Sequence, residues 1–124
     1  SNIPPEMWGG QVTREYLYID DAIGAYVKLL QLDIATVGKN RVFNIGSGNI
    51  ISVKDLIEKI IKISGVEMEI NRIEDKREME ISSQYVAVKK AKKMLQWEAK
   101  TDIDNGLAKT IAWYKEFFYN KLTF

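Results

Sequence analysis

Arg14 and Tyr16 stand two residues apart in "TREYLYI", residues 13–19, and a paired acid, Asp20–Asp21, follows directly. A guanidinium stays charged at any physiological pH, and its fork of donors matches two phosphate oxygens at once. A phenol beside it adds a hydroxyl donor or a flat stacking face. By residue type the pair suits a phosphate-bearing ligand, although an arginine paired with a surface carboxylate is the commoner use of the same groups. Two other patterns imitate cofactor chemistry. "RVFNIGSGNIISVKDL", residues 41–56, sets Gly46 and Gly48 between a strand-like and a helix-like run, as a dinucleotide-binding turn does. Glu67 and Glu69 even fall about twenty residues on, where a ribose-binding acid belongs. But the third glycine, needed for close helix packing, is replaced by Ile51, and the helix opens only at Ser52. We read this stretch as a strand-to-helix turn. "YVAVK", residues 85–89, pairs a tyrosine with a lysine four positions later. A phenolic base needs that ammonium on the next turn of one helix, about 6 Å away. Val86, Ala87 and Val88 favour a strand, along which four residues span about 13 Å. Tyr85 is accordingly set aside as a base.

The totals narrow the chemistry further. A chain of 124 residues is one domain by length, here taken as residues 1–124 with a lead-in loop at 1–11. It has no histidine and no cysteine, which removes thiol nucleophiles, imidazole bases, disulfides and the usual zinc ligands. We expect no metal site. A net charge of +1 argues for neither nucleic acid nor an acidic membrane as partner. No apolar run approaches membrane-spanning length and the start shows no signal-peptide pattern, so a cytoplasmic, soluble protein is expected. Lys89, Lys90, Lys92 and Lys93 form a basic run beside an acidic loop, which reads as a solvated helix face. Trp113, Tyr114, Phe117, Phe118 and Tyr119 give the last helix more aromatics than one face can bury, so exposed apolar surface and some self-association are expected.

Periodicity supplies the elements that must position these groups. "IPPEMWGGQ", with both prolines and a Gly-Gly pair, reads as a loop. "TREYLYI" reads as a strand with Arg14, Tyr16 and Tyr18 on one face and Glu15, Leu17 and Ile19 on the other. Asp20 or Asp21 would cap a helix over residues 22–34, with Ala22, Ile23, Tyr26, Val27 and Leu30 as its buried stripe. Gly38 and Asn40 would end that unit and "RVFNI" form the next strand. Ser52 with Asp55 opens a helix with Leu56, Ile57, Ile60 and Ile61 inward and Gly65 as its C-cap. "EMEINRI" and "QYVAV" read as strands, residues 74–80 as a charged loop, and "KKAKKMLQW" as a helix. A long final helix, capped by Thr101 or Asp102, would align Leu107, Ile111, Tyr114 and Phe118. The order is that of an α/β fold.

Four segments, "REYLYIDDA", "FNIGSGNIISVKDLIEKI", "YVAVKKAKKMLQW" and "GLAKTIAWY", resemble successive landmarks of one family in type, order and spacing, from about Met7 to Tyr119. These are the extended short-chain dehydrogenase/reductases, the NAD-dependent nucleotide-sugar epimerases and dehydratases. The resemblance implies the small C-terminal substrate-binding lobe of such an enzyme, without its Rossmann domain. It further implies that Arg14 grips the diphosphate of a nucleotide sugar with Tyr16 beside it. A second family arginine falls nearest Arg77, with Arg72 as the alternative. The glycines at 46 and 48 belong to the lobe's scaffold. NAD or NADP and the catalytic Ser/Thr–Tyr–Lys set belong to an N-terminal Rossmann half, so this chain is expected to bind no cofactor, carry no catalytic residue and be inactive alone. In the family, a hydride leaves the sugar for the cofactor and returns after epimerisation or loss of water, the isomerase and lyase outcomes. "EISSQYVAVKKAKKMLQW" resembles the sugar-nucleotide 4,6-dehydratases, CDP-glucose type in particular, whereas "WGGQVTREYLYIDD" resembles the family's epimerases and reductases equally well. The chain would be either a piece of a longer enzyme or a lobe standing alone. The alternative reading is a non-catalytic α/β interaction module that retains the lobe's scaffold. Family-style dimers, made through Rossmann helices, are not expected of it.

Overall fold

A computed structural model describes residues 4–33, 35, 38, 39, 41–73 and 81–121. The elements are β1 (Glu6–Trp8), β2 (Thr13–Glu15), α1 (Ile19–Leu30), β3 (Ile50–Ser52), α2 (Val53–Ser64), β4 (Asn71–Ile73), β5 (Ser83–Gln84), α3 (Lys89–Leu95) and α4 (Ile103–Lys121). β1 pairs with β4, and β3, β2 and β5 lie side by side in that order. The chain divides into two compact units, residues 1–14, 51–84 and 104–124 in the first, 15–50 and 85–103 in the second. Among the described residues no helix is long and apolar enough to cross a membrane.

In the first unit a strand replaces part of the loop expected over residues 3–11. Met7 is buried, and β1 runs parallel to β4 with Met7 opposite Arg72. The prolines precede this strand instead of interrupting it, and Pro5 lends its carbonyl to Asn71 N at 3.0 Å. Gly10 then turns the chain at φ +101°, with Met7 so close that an added Cβ would lie 3.0 Å from its Sδ. β2 pairs in parallel with β5, Thr13 opposite Ser83 and Arg14 opposite Gln84. The helix expected after Ser52 is present: Ser52 Oγ accepts from Asp55 N at 3.0 Å, and Gly65 closes it at φ +69°. Lys59 Nζ reaches Asp104 at 2.6 Å and Lys115 Nζ reaches the Ser64 carbonyl at 3.0 Å, tying α4 to α2. Along α4, Leu107 and Ile111 are half-buried, whereas Tyr114 and Phe118 on the same face are exposed, as are Trp113 and Tyr119.

The second unit closes around Ala25, Ala91, Leu95 and Trp97, with Leu17, Leu29, Leu32, Phe43, Ile45 and Ala99 packed against them. Here α1 faces the other way from the stripe read in its sequence. Ile23, Tyr26, Val27 and Leu30 are exposed, Leu30 at 87%, while Ala25 is fully buried. The small side is the inward one: Ala25 packs with Ala91, Leu95 and Trp97, and the Trp97 Nε1 donates to the Asp21 carbonyl at 3.0 Å. Nor do Asp20 and Asp21 cap the helix. Tyr18 is the N-cap but makes no capping bond with its side chain, and both acids sit in the first turn, where the helix dipole favours them. Asp21 instead accepts from Thr101 N at 2.9 Å.

Three strand expectations shorten and a fourth does not form. β2 ends at Glu15, because Tyr18 and Ile19 already begin the helix, and β4 covers only the last three residues of "EMEINRI". Residues 41–49 form no strand, although Phe43 and Ile45 still face the core and Val42 points out; the side-chain alternation persists without a ladder to join. "QYVAV" contributes only Gln84 to β5, and Val88 serves as the N-cap of α3. That helix stops at Leu95 because Gln96 adopts φ +49°, which folds Trp97 back into the core. The charged loop expected at residues 74–80 and Asn40 lie outside the described residues.

Candidate functional site

Arg14, half-buried on β2, is fixed by the backbone around it. Its Nη1 donates to the carbonyls of Thr13 and Ile81, both at 2.8 Å. A guanidinium is planar and rigid, so anchoring one nitrogen sets the plane of the whole fork. Arg14 belongs to the first unit and Tyr16 to the second.

Tyr16 is held by the glycine turn. Its N–H donates to the Asn49 carbonyl at 3.1 Å, and its own carbonyl accepts from Ser47 Oγ at 2.5 Å. Ser47 Oγ also accepts from Asn49 N at 2.9 Å, and Asn49 Nδ2 reaches the Thr101 carbonyl at 3.1 Å. The Tyr16 backbone is thus immobilised, while its phenol makes no hydrogen bond among the described residues. Tyr18, two residues on, has its pKa raised by burial first, then by the nearby charge and hydrogen bond of Asp20 and the charge of Asp21.

The residue that periodicity assigned to the opposite face, Glu15, turns out to organise this turn. One carboxylate oxygen accepts from Gly48 N at 2.7 Å and the other from Val86 N at 2.9 Å. Gly46 is buried against it: an added Cβ would fall 2.5 Å from Glu15 Oε1 and 2.6 Å from Val86 Cγ2. The sequence signal was present, an acid beside the arginine and a glycine pair lacking a third, but nothing in either pattern links positions 15, 48 and 86.

Of the second-arginine candidates, Arg77 lies outside the described residues. Arg72 is bridged to Glu58 at 3.1 Å. With Ile61, Lys62, Met68 and Ile70 the two line an open cleft of about 330 Å³ in the first unit. Tyr85 is exposed and precedes α3, so it does not share a helix with Lys89. Within the basic run, Lys90 Nζ donates to the Val42 carbonyl at 2.6 Å and sits 4.6 Å from the centre of the Phe43 ring, and Lys92 pairs with Glu98. These bonds tie part of the run to its own unit. Among the described residues no group of His, Cys, Asp or Glu is placed to hold a metal.

The fold is shared with known proteins. The architecture is a small α/β fragment that matches the C-terminal part of nucleotide-sugar epimerases. It superimposes with a TM-score of 0.80 on the UDP-glucose 4-epimerase of Thermotoga maritima, crystallised with UDP-glucose, at 26% identity over 94% of this chain and 36% of that one. Against the dTDP-glucose 4,6-dehydratase of Bacillus anthracis, in complex with NAD, the TM-score is 0.67 at 26% identity, covering 90% and 34%. In sequence it is 32% identical over 107 residues to the putative UDP-arabinose 4-epimerase 2 of Arabidopsis thaliana, 86% of this chain and 25% of that protein. The profile of the GDP-mannose 4,6 dehydratase family matches residues 4–110. The chain belongs to that family, among the NAD-dependent nucleotide-sugar epimerases and dehydratases of the extended short-chain dehydrogenase/reductase type. It spans about a quarter of the length of the curated relatives and about a third of the solved chains.

Proposed function

We propose that this chain is the substrate-binding lobe of a nucleotide-sugar epimerase or 4,6-dehydratase, and that Arg14 and Tyr16 hold the nucleotide diphosphate. The observation that carries the reading is the anchored guanidinium on β2, held at Nη1 by the Thr13 and Ile81 carbonyls. A pre-set fork loses little conformational freedom when it meets a phosphate. Tyr16 supports it, with its main chain fixed on both sides by the 47–49 turn. Crystallised relatives carry UDP-glucose in one case and NAD in another.

The glycine turn does not fit a cofactor. Gly48 N, the donor a pyrophosphate would use, is already given to Glu15, and the incoming phosphate would meet that carboxylate's like charge. Under this reading no redox chemistry is assigned to the glycine turn. Under this reading the lobe binds and orients, and turnover needs a Rossmann domain that supplies NAD or NADP.

Calorimetric titration with UDP-, CDP-, dTDP- and GDP-glucose tests the proposal and selects the base. The expected result is measurable binding of at least one, weakened tenfold or more by Arg14→Ala, the scale of one lost charge-assisted contact. Absence of binding to all four, together with recovery of a protein partner, would replace it with a non-catalytic interaction module.

A further inference from the structure

We propose that Glu15 is a positioning residue for the Tyr16 phenol; this rests on the reading of Tyr16 as a substrate contact. Three stretches far apart in sequence meet at one carboxylate, residue 15 itself, Gly48 at 2.7 Å and Val86 at 2.9 Å. Both oxygens are spent on backbone N–H groups, which fixes the side chain in a single orientation. The turn so gripped is the one that holds the next residue: Ser47 Oγ donates to the Tyr16 carbonyl and the Asn49 carbonyl accepts from Tyr16 N. Gly46 allows the carboxylate to lie flat against the turn, since any Cβ there would occupy the same space. The result is a closed circuit, Glu15 side chain to Gly48, along the turn to Ser47 and Asn49, and back to the main chain of residue 16.

A carboxylate is the group this circuit requires. It offers acceptors in two directions, and both N–H groups donate. In Glu15→Gln one of the two oxygens becomes an amide NH2 that faces an N–H, so one bond is lost and two donors are left pointing at each other. The turn is then released and the backbone under Tyr16 with it. Glu15 acts on ligand only through its neighbour.

A double-mutant cycle separates this role from general support of the fold. Whichever of UDP-, CDP-, dTDP- and GDP-glucose binds is titrated to millimolar concentration against the 124-residue chain by amide NMR shifts, which read weak affinities. Glu15→Gln is expected to raise Kd about tenfold when Tyr16 is present and less than twofold in the Tyr16→Phe background, because the phenol it positions is already gone. A structural role alone gives the same factor in both backgrounds, and that outcome overturns the proposal. Should Glu15→Gln fail to fold, Ser47→Ala removes only the bonds to Tyr16 and Asn49 and must show the same dependence on the Tyr16 hydroxyl. If the unmodified chain binds none of UDP-, CDP-, dTDP- and GDP-glucose, both the reading of Tyr16 and the role of Glu15 fall. If it binds and the two factors are equal, the role of Glu15 alone falls.

Discussion

Gly46→Ala is the smallest change that should damage the centre of the second unit. The added methyl would lie 2.5 Å from Glu15 Oε1, 2.9 Å from its Cδ and 2.6 Å from Val86 Cγ2. Such approaches are too close for any contact, so something must move. The least costly movement swings the carboxylate away, which surrenders its bonds to Gly48 N and Val86 N. Each bond to a charged acceptor contributes about 1.5–3 kcal/mol, and water reaching these partly exposed groups recovers roughly half of the pair. The net loss comes to ~2 kcal/mol. For a chain of this size that lowers Tm by about 8 °C. Urea denaturation followed by circular dichroism measures it, with an unchanged slope showing that the unfolding reaction is the same. Gly48→Ala is the control. Its φ is +76° but nothing lies within 4 Å, so it should lose only the conformational cost of a left-handed alanine, about 1 kcal/mol. A Gly46→Ala loss below ~0.5 kcal/mol would mean that the Glu15 carboxylate does not fill the space beside the turn.

Other outcomes follow from single contacts. Gly24→Ala should stabilise by about 0.5–1 kcal/mol, since the new Cβ meets Trp97 Nε1 at an ordinary 3.6 Å and alanine is the better helix former; a thermal melt reads the sign directly. Ser52→Ala should cost ~1 kcal/mol in urea by removing the acceptor for Asp55 N. Lys92, by hydrogen bond first and charge second, holds the Glu98 carboxyl below its ordinary value of 4.5. A lowered folded-state pKa contributes stability above pH 4.5 that is lost as pH falls through the folded value. Both side chains are exposed, so the effect should be small, fade in salt, and vanish in Lys92→Met when the Glu98 carboxyl is titrated by NMR.

Where local chemistry alone decides structure, the sequence was a sound guide. Ser52 and Gly65 bracket α2 because a hydroxyl cap and a left-handed glycine need no distant partner. The helices α1 to α4 in their order, and the family landmarks from "REYLYIDDA" to "GLAKTIAWY", were equally legible. Errors arose where packing overruled pattern. The strongly apolar stripe of α1 lies outward because Ala25, a residue periodicity passes over, is the one that packs with Ala91, Leu95 and Trp97. Glu15 was invisible as an organiser because its two donors come from positions 48 and 86, and no spacing rule reaches that far. The strand expected at "RVFNI" illustrates the opposite limit, a β-like alternation that forms no ladder.

The central contact is the one proposed between the Arg14 guanidinium and a nucleotide diphosphate. Following the Nε–Hε resonance of Arg14 during a UDP-glucose titration is the most direct measurement, with Arg41, whose Nε is bound to the Gly38 carbonyl, as internal reference. A saturable shift at Arg14, with Arg41 unmoved, is the expected result. Saturation of the protein by ligand with Arg14 unchanged would contradict it.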